Sequence, residues 1–348
     1  MLLNIAIPTY KRPDQLRDCI KSIALQILNN ENVSLTVIDD SKSDLNSEVV
    51  SWAESLPIKF TYIKNDVNLG IDGNIEKCLN FGSSEYLLVL GEDDILLPDA
   101  ISRLIREIDL HRPDVIYTSY VYINNAKTKV IRSPLTISGK IFPHHFIENY
   151  LWAIGFIGSV VLKRSFINRN PNRYLGSYFN HVGRVGVNLA DDTNIFAMEN
   201  PLVGNRSDDL KTATWTSSYY DVLFGFEGLI QQLFVDSDFS LSFLAAKKTL
   251  RSQFNYLKFH RICLMRSYGI YDSRVYNKNI SISNDIPSKR MYYVISILPR
   301  CLFGPLRVLY FFARYIRRLS YSVPDVNLVV QGQRLSALSG DTYLDRSV

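Results

Sequence analysis

The amino-acid sequence predicts an α/β fold: a mostly parallel, doubly wound sheet followed by an α-helical C-terminal appendage. In the first 120 residues, apolar runs of strand length alternate with segments whose apolar residues recur at helical spacing. This alternation is typical of parallel sheets built from strand–helix–strand units. From Tyr219 onward the apolar residues follow helical spacing alone. We therefore expect a sheet domain over residues 1–217, a helical region over 218–323 and a polar tail over 324–348.

The predicted strands are short apolar runs bounded by Gly, Pro, polar or acidic residues. In chain order they cover residues 2–7, 35–38, 58–63, 86–90, 114–123, 160–162 and 195–198. The first predicted helix begins at Asp14, which is placed to cap it. Further helices are expected over 47–55 and 99–111. Another helix is expected to follow the Asn- and Gly-rich loop 65–74 and to end near Gly82.

The composition is that of an ordinary folded protein. The 348 residues are 47% hydrophobic and 21% charged, with a formal net charge of +5, which argues against long disordered segments. The cysteines Cys19, Cys78, Cys263 and Cys301 lie far apart and form no CxxC pair. Neither a zinc site nor a disulfide framework is therefore expected. The first residues show no basic region or cleavage site, so we predict no signal peptide and a cytoplasmic protein.

Three consecutive acids, Glu92, Asp93 and Asp94, follow the predicted strand 86–90 directly. Adjacent carboxylates repel one another, and a hard divalent cation such as Mg²⁺ or Mn²⁺ relieves that repulsion. The alternative is an acidic turn that caps the helix predicted from Asp99. The sequence alone leaves both interpretations open.

Polar residues follow three predicted strands: Thr9–Arg12, Asp39–Asp40 and Glu92–Asp94. In a parallel sheet all three groups lie at the carboxyl edge, where open α/β sheets bind ligands. Acids beside an aromatic ring and basic residues suit a nucleotide, with carboxylates for the base or ribose and cations for the diphosphate. The sequence contains no GxGxxG and no GxxxxGK[ST], which disfavours a dinucleotide cofactor and a P-loop.

Four segments of the first 110 residues stand in an order and spacing that resemble a known family. They are Ile7–Arg12, Val37–Ser41, Asn68–Gly70 with Asn74, and Gly91–Asp99. Together they resemble the inverting family 2 glycosyltransferases, which have the GT-A fold. Each segment alone is a weak signal, whereas the four in sequence are specific.

The resemblance implies roles for individual residues. The implied nucleotide-binding residues are Pro8, Thr9, Tyr10, Arg12, Asp39, Asp40, Asn68, Glu92, Asp93 and Arg206. Among them Asp39 would hold the base, and Arg206 would pair with phosphate. Asp93 and Asp94 match the carboxylates that bind a metal on the diphosphate of the sugar nucleotide, which implies Mg²⁺ or Mn²⁺ as cofactor. Gly91 stands where the family often has the first Asp of its DxD motif.

The resemblance also implies a single displacement at the anomeric carbon, with a base that deprotonates the acceptor hydroxyl. The family usually places that base about 20 residues before a Pro-Leu strand and an Arg-bearing loop, which Asn200–Arg206 resembles. This spacing leads to His181, whose neutral imidazole can accept a proton. Asp191 and Asp192 are the second candidates. The structural alternatives are that His181 packs or caps, and that the two acids form a turn.

Two further segments resemble the acceptor side of the family. Gly155–Ser159 precedes the strand predicted over 160–162, and its glycines would let a substrate approach the backbone; a simple bulge is the alternative. Lys211 and Trp215 follow Arg206 in a polar stretch, where the family often has a mobile loop. A solvated cation and a packed Trp are the alternatives.

The segment Lys289–Tyr321 contains seven basic residues, no acid and an aromatic-rich apolar face. This pattern suits a helix in the headgroup region of an anionic membrane. A transmembrane span is disfavoured because Arg300 and Arg307 interrupt the apolar run and Pro299 and Pro305 break it. A core helix pair with snorkelling arginines is the alternative. No nucleic-acid partner is expected, since no recognised binding module accompanies the charge.

The sequence thus predicts a cytoplasmic glycosyltransferase, peripheral on the inner face of the cytoplasmic membrane, that uses a nucleotide-sugar donor. The resemblance extends to bacterial enzymes that assemble O-antigen or another surface polysaccharide on a lipid-linked, polyprenyl-diphosphate acceptor; some of these transfer dideoxyhexoses such as abequose. One alternative is a nucleotidyltransferase, although the loop Pro8–Arg12 lacks the glycines such an enzyme needs. The other is a binding protein of the same fold that has lost its base.

Overall fold

The computed structural model describes residues 1–122, 138–170, 174–206 and 218–309. Within these ranges the strands are β1 Leu3–Thr9, β2 Val33–Asp39, β3 Lys59–Lys64, β4 Tyr86–Val89, β5 Asp94–Leu96, β6 Val115–Tyr122, β7 Gly139–Ile141, β8 Val160–Lys163 and β9 Ile195–Asn205. They form one sheet in the order β3-β2-β1-β4-β8-β6-β9-β5, and β7 pairs with β9. Six strands share one direction, while β5, β7 and β8 run the other way. The predicted fold class is confirmed.

Helices connect the strands and continue beyond the sheet. Those described are α1 Pro13–Ile27, α2 Ser47–Glu54, α3 Gly70–Asn80, α4 Ala100–His111, α5 Pro143–Tyr150, α6 Arg164–Ile167, α7 Asn180–Asn188, α8 Tyr219–Asp236, α9 Ser240–Phe254, α10 Phe259–Tyr268, α11 Ser273–Val275 and α12 Lys289–Ile297. Helix α1 forms because its apolar side chains fall on one buried stripe. Asp14 lies in its first turn and makes no side-chain capping bond, since the helix already begins at Pro13.

The sheet separates two apolar layers, because successive side chains of a strand point to opposite faces. On β1, Ile5 and Ile7 face the layer formed with α1 and α4, whereas Ala6 faces the layer formed with α3 and α5 to α9. Burial of each large side chain contributes roughly 1.5–3 kcal/mol. Both faces of the central strands are covered, as a doubly wound sheet requires.

Helix α8 connects the sheet domain to the helical region predicted from Tyr219. Phe226 and Leu233, toward its C-terminal half, pack in the layer against the sheet. Tyr220, near its start, packs instead in a third apolar cluster with Tyr271 and Tyr292. The C-terminal helical region is therefore present and shares α8 with the sheet domain. The predicted tail over 324–348 lies outside the described residues.

Three strands differ from their prediction. β7 was not expected, and it forms as an antiparallel partner of β9. β9 was expected to end at Met198 but continues to Asn205, because a register shift opposite Thr118–Tyr120 accommodates Pro201 without a ladder bond. β5 was not expected, since its first residue, Asp94, gives no apolar signal. It forms because β9 offers it an antiparallel partner.

No single helix among the described residues is long and apolar enough to cross a membrane. Two helical segments, Lys289–Ile297 and Arg300–Leu309, together have the length and the apolar composition of a membrane span. They are bent by 111° relative to each other.

Candidate functional site

The carboxyl ends of β1 and β4 meet around Glu92, which is buried. Its Oε2 accepts hydrogen bonds from the Thr9 hydroxyl and, at 2.9 Å, from the Tyr10 backbone N–H. The Arg12 guanidinium lies 3.6 Å from the other Glu92 oxygen and donates to Asp93 Oδ2 at 3.0 Å. The structure thus brings together the residues after β1 and β4. We call Glu92, Asp93 and Asp94 the acidic edge.

Gly91 explains why the acids of this edge can converge. A Cβ atom at residue 91 would stand 2.8 Å from Asp94 Oδ2 and 3.0 Å from Asp93 Oδ1. The two carboxylates therefore lie over the same Cα atom, in space that any side chain would occupy. Because residue 91 is glycine and not aspartate, the carboxylates of Asp93 and Asp94 can both occupy the space beside its Cα atom.

The carboxylate of Asp94 is buried, and its Oδ1 has no hydrogen-bond partner among the described residues. Burial raises its pKa well above the usual range, and the charge of Asp93 raises it further; the charge and backbone N–H of Arg206 oppose the shift. Burial likewise raises the pKa of Glu92 to about 7, against the bonds from Thr9 and Tyr10. The protein therefore disfavours the ionised form of Glu92 and Asp94, which a bound cation would stabilise.

The carboxylates of the acidic edge suit a divalent cation whose remaining ligands come from a bound phosphate compound and water. Within the described ranges, no group of three or more His, Cys, Asp or Glu residues is arranged to hold a metal ion by itself. Mg²⁺ sites, however, commonly use one or two carboxylates, with substrate phosphates and water as the other ligands. Asp93, half-exposed, and Asp94, with its unpartnered oxygen, supply such a pair. The alternative that these acids cap α4 is wrong, because Asp94 begins β5 and α4 begins only at Ala100.

Arg206, predicted to bind phosphate, holds the acidic edge against α1. Its guanidinium donates to the backbone oxygen of Asp93 at 2.8 Å, to Asp18 Oδ2 at 2.7 Å and to the backbone oxygen of Gln15 at 3.1 Å. Asn205, its neighbour, pairs with Asp94 across β5 and β9. Arg206 therefore lies at the predicted place, with a bracing role that the sequence did not indicate.

Asp39, predicted to hold the base, is fully buried. Its carboxylate accepts from the Ser41 backbone N–H at 2.8 Å, from Asn46 Nδ2 at 2.8 Å and from the Tyr62 hydroxyl at 2.9 Å. In this structure Asp39 orders the loop after β2 and is not open to a ligand. The role of Asp39 in holding a nucleotide base stays a prediction.

Asp40 shapes the start of α3. It accepts from the backbone N–H groups of Leu69 and Gly70, at 2.8 and 2.9 Å, and from Asn65 Nδ2 at 2.9 Å. Asn68 Oδ1 also accepts from Gly70 N–H, at 2.9 Å. Asp40 and Asn68 thus fix a loop at the carboxyl edge, and Asp40 uses both of its oxygens to do so.

An open cavity of about 430 Å³ lies beside this loop. It is lined by Lys42, Lys64, Asn65 and Asp66. The sequence analysis missed these residues, although two signals were available: Lys42 follows Asp39–Asp40 closely, and Lys64 ends the third strand. Tyr10, which follows β1, is exposed, and Lys11 Nζ lies 4.9 Å from the centre of its ring.

His181 lies in the interior at the start of α7. Its Nε2 is 2.8 Å from the backbone oxygen of Ile154, and its Nδ1 has no partner among the described residues. Because a carbonyl only accepts, Nε2 carries the proton and Nδ1 does not. Burial lowers the pKa of the ring to about 4. His181 thus has the unprotonated nitrogen that a base needs, but not the accessibility.

Asp191 and Asp192 lie at the opposite edge of the sheet. β9 begins at Ile195, which pairs with Val115, the first residue of β6. Val115 pairs with Leu162 of β8, which pairs with Leu87 near the start of β4. The acidic edge follows the end of β4, roughly 15 Å away along the strand direction. The prediction that these two acids supply the base is therefore wrong; they form the turn before β9.

The glycines of Gly155–Ser159 serve packing. A Cβ atom at Gly155 would stand 3.0 Å from the ring of Phe226 and 3.2 Å from that of Phe179. At Gly158 it would stand 3.2 Å from Leu90. Side chains already occupy the space assigned to an approaching substrate, so that prediction is wrong here. Lys211 and Trp215 lie outside the described residues.

A second buried acidic group joins α3 to α7, and the sequence analysis missed it. Asp72 accepts from the backbone N–H groups of Gly176, Tyr178 and Asn180, at 2.8, 2.9 and 3.3 Å. One turn later Glu76 accepts from Arg184 Nη1 at 3.0 Å. We call this contact the α3–α7 junction. It fixes the start of α7 at the carboxyl edge of the sheet.

Comparison with known proteins identifies the sheet domain. Residues 4–170 match glycosyl transferase family 2. The chain carries a family 2 glycosyltransferase domain. Over 110 residues it is 29% identical to the abequosyltransferase RfbV of Salmonella typhimurium, a match that covers 31% of this chain and 33% of that protein. Over 106 residues it is 31% identical to a GalNAc(5)-diNAcBac-PP-undecaprenol β-1,3-glucosyltransferase of Campylobacter jejuni, covering 30% and 34% of the two chains. The match therefore spans only about a third of these relatives' length.

Solved structures support the fold of the family 2 domain and its helical extension. S. aureus TarS residues 1–349 align with a TM-score of 0.56 and 13% identity, covering 90% of this chain and 92% of that one. The mannosyltransferase PcManGT of Pyrobaculum calidifontis aligns with a TM-score of 0.51 and 10% identity, covering 89% and 87%. At these identities the likeness concerns the fold alone, and it confirms the GT-A-like architecture.

Proposed function

We propose that the protein transfers a sugar from a nucleotide-diphosphate donor to a glycan acceptor, with inversion at the anomeric carbon. One observation carries this proposal: two carboxylates, Asp93 and Asp94, converge over Gly91, and the buried Oδ1 of Asp94 has no hydrogen-bond partner among the described residues. A family 2 domain with such an edge suits a cation bridged to phosphate. Among proteins of this fold, TarS forms a complex with UDP-GlcNAc, and PcManGT one with GDP-Man and Mn²⁺.

Donor binding follows from the residues around the acidic edge. Asp93 and Asp94 would hold Mg²⁺ or Mn²⁺, whose positive charge would stabilise the departing nucleotide diphosphate. Arg12, which already pairs with Asp93, adds a cation on the same side. Pro8 lies near the end of β1 and Tyr10 follows this strand, while Lys42 and Lys64 line the neighbouring cavity. We assign that cavity to the nucleoside part of the donor, since the buried Asp39 does not reach a ligand.

Transfer requires that the acceptor oxygen attack the anomeric carbon while the bond from that carbon to the diphosphate oxygen breaks. The acceptor hydroxyl gives its proton to a base. Our candidate remains Nδ1 of His181, which is unprotonated and unpartnered. Because the ring is covered, acceptor binding must displace its neighbours before the proton can move.

We further propose that the acceptor is a polyprenyl-diphosphate-linked glycan, that the product belongs to a bacterial surface polysaccharide such as O-antigen, and that the enzyme works at the inner face of the cytoplasmic membrane. Two relatives support this: one is an abequosyltransferase, and the other is a glucosyltransferase whose name specifies an undecaprenol-linked glycan. The sugar that this chain transfers, whether a hexose or a dideoxyhexose, is set by contacts that these matches do not cover.

A thermal-shift screen with UDP, CDP, GDP and dTDP, with and without Mn²⁺, tests the donor site first. We expect one nucleotide to stabilise the protein, and to do so more strongly with the metal. The sugar nucleotide of that base should then be hydrolysed slowly and transferred to a lipid-linked acceptor extract. Asp94→Asn should lower turnover by about a hundredfold or more. Asp109→Asn, an exposed acid on α4, is the matched control and should leave turnover unchanged.

The buried His181 also favours a second candidate, a nucleotide-sugar-binding protein without turnover. The two functions differ in one result. A binding protein would show the metal-dependent thermal shift but no transfer in either the wild type or His181→Ala. An enzyme that uses His181 would lose transfer in His181→Ala while it still binds the donor nucleotide.

A further inference from the structure

The two helical segments at the end of the described chain carry several exposed apolar side chains. α12 and the segment Arg300–Leu309 meet at 111°. Six of their apolar side chains are between 47% and 70% exposed: Tyr293, Val294, Ile297, Leu302, Val308 and Leu309. We call these six residues the outer face. Apolar residues exposed together on a folded protein mark an interaction surface.

The inner side of the same segments is fixed to the helical region. Tyr292, Ile295 and Phe303 are buried in the third apolar cluster. The Tyr292 hydroxyl donates to the Leu257 backbone oxygen at 2.9 Å, and Arg266 Nη2 donates to the Leu298 backbone oxygen at 2.7 Å, at the bend. The outer face therefore belongs to an element that packs against the helical region through its other side.

Charge indicates what covers the outer face. Lys289, Arg290, Arg300 and Arg307 lie on these segments, and no acid occurs between Ile286 and Leu309. Arg307 is anchored by its bond to the Ser267 backbone oxygen, and its guanidinium lies 4.6 Å from the ring centre of Tyr268. Cations beside apolar and aromatic side chains are the composition of helices that lie at the surface of anionic membranes.

A series of contacts connects the helical region that bears the outer face to the carboxyl edge of the sheet. Tyr220 of α8 packs in the cluster that holds Tyr292. Five residues later, a Cβ atom at Gly225 would stand 2.8 Å from the Ser177 backbone oxygen, in the loop before α7. The α3–α7 junction ties that loop to α3, and Asp40 ties α3 to the carboxyl end of β2.

We propose that the outer face docks on an anionic lipid bilayer, with its apolar side chains at the boundary of headgroups and acyl chains. Docking itself does not depend on the proposed glycosyl transfer. Its use in bringing a lipid-linked acceptor to the acidic edge does rest on that function.

Cys301 gives a direct readout, because it is exposed next to Leu302 whereas Cys19, Cys78 and Cys263 are buried. An environment-sensitive fluorophore on Cys301 should shift to the blue with vesicles that contain phosphatidylglycerol, and much less with phosphatidylcholine vesicles. Raising the salt should release the protein, since bilayer attraction of this kind is screened. Protein that stays bound at high salt would instead indicate an inserted pair and would overturn surface docking.

Variants of the full chain separate docking from folding. Leu302→Glu with Val308→Glu should weaken vesicle partitioning by tenfold or more, and Arg290→Gln by about fivefold. Leu110→Glu on α4 is the matched control, since Leu110 is 67% exposed and Val308 70%; it should partition like the wild type. All variants should melt like the wild type.

Three further results would overturn the proposal: vesicle binding unchanged in the Leu302→Glu/Val308→Glu variant, equal binding to neutral and anionic vesicles, or a blue shift that grows with protein concentration without lipid. The last would show self-association through the outer face. Donor hydrolysis without lipid is measured in parallel. If the docking variant keeps hydrolysis, a docking failure leaves the proposed function intact. If the wild type binds vesicles but hydrolyses no donor, the proposed function fails and docking stands.

Discussion

The acids of the α3–α7 junction and those of the acidic edge both lie near the carboxyl edge of the sheet. They differ in how completely protein hydrogen-bond donors compensate their negative charge. At the α3–α7 junction, Asp72 accepts three backbone N–H groups, and Glu76 accepts from Arg184, Asn180 and Asn80. Every carboxylate oxygen of this pair has a protein donor. The junction therefore needs nothing from outside the chain, and its chemistry is structural.

At the acidic edge the protein leaves the compensation incomplete. Asp94 Oδ1 has no donor among the described residues, and the pKa of Glu92 is raised to about 7. Buried polar groups without partners cost free energy, and they persist in proteins where a ligand completes them. The comparison teaches that an acidic run in a sequence indicates a ligand site only where the fold fails to satisfy it.

The junction should show the largest loss of stability on mutation. Arg184→Met leaves the buried Glu76 without its cation, which should cost about 3–5 kcal/mol of unfolding free energy in urea. Adding Glu76→Leu in the same chain should recover part of that loss, because no unpaired charge then remains. A double variant as unstable as the single one would show that packing, and not charge, dominates the junction.

The acidic edge should instead make stability depend on pH. The pKa of Glu92 in the folded state, about 7, lies above its usual value of 4.5. Its contribution to stability is therefore present below pH 4.5 and is lost as the pH rises through 7. Without metal, the stability difference between wild type and Glu92→Gln should change by about 3 kcal/mol across this interval. A pH-independent difference between the two would contradict the raised pKa.

Asp94→Asn should stabilise the metal-free protein, the opposite sign to the junction variant. Removing a buried, poorly compensated charge should gain about 1–3 kcal/mol at pH 8, measured by urea unfolding in EDTA. The same change should abolish stabilisation by Mn²⁺ with the bound nucleotide. Asp93→Asn, at a half-exposed position, should stay within about 0.5 kcal/mol of the wild type. If Asp94→Asn destabilised the protein, the carboxylate of Asp94 would be structural, like the carboxylates of the α3–α7 junction.

The smallest expected effect is that of Gly91→Ala. The new Cβ atom would press on the carboxylates of Asp93 and Asp94, so Mn²⁺ affinity in the presence of nucleotide should fall about tenfold by titration. Gly228→Ala is the control, since a Cβ atom there would meet nothing within 4 Å. Equal Mn²⁺ affinities in the two variants would show that the two carboxylates do not act together.

The order of strands and helices in the first 120 residues was readable from apolar spacing, because period and burial are local properties of the chain. β5 and the second half of β9 were not readable. Asp94 and Pro201 carry no strand signal, and each is held by a partner distant in sequence. The same limit applies to His181, whose spacing to Pro201 suggested a base although Ile154 and its surroundings cover it.

The sequence by itself determined the family, the acidic run after β4 and the basic, acid-free segment near its end, because motifs, charge and periodicity are written in residue order. Only the tertiary structure decided which acids are satisfied. Hydrogen-bond partners such as Asp72 and Asn180 are about a hundred residues apart. The fold also places Asp191 at the edge of the sheet opposite the carboxyl edge, and it places Arg206 beside the acidic edge. Whether a carboxylate is structural or left for a ligand depends on its neighbours in space.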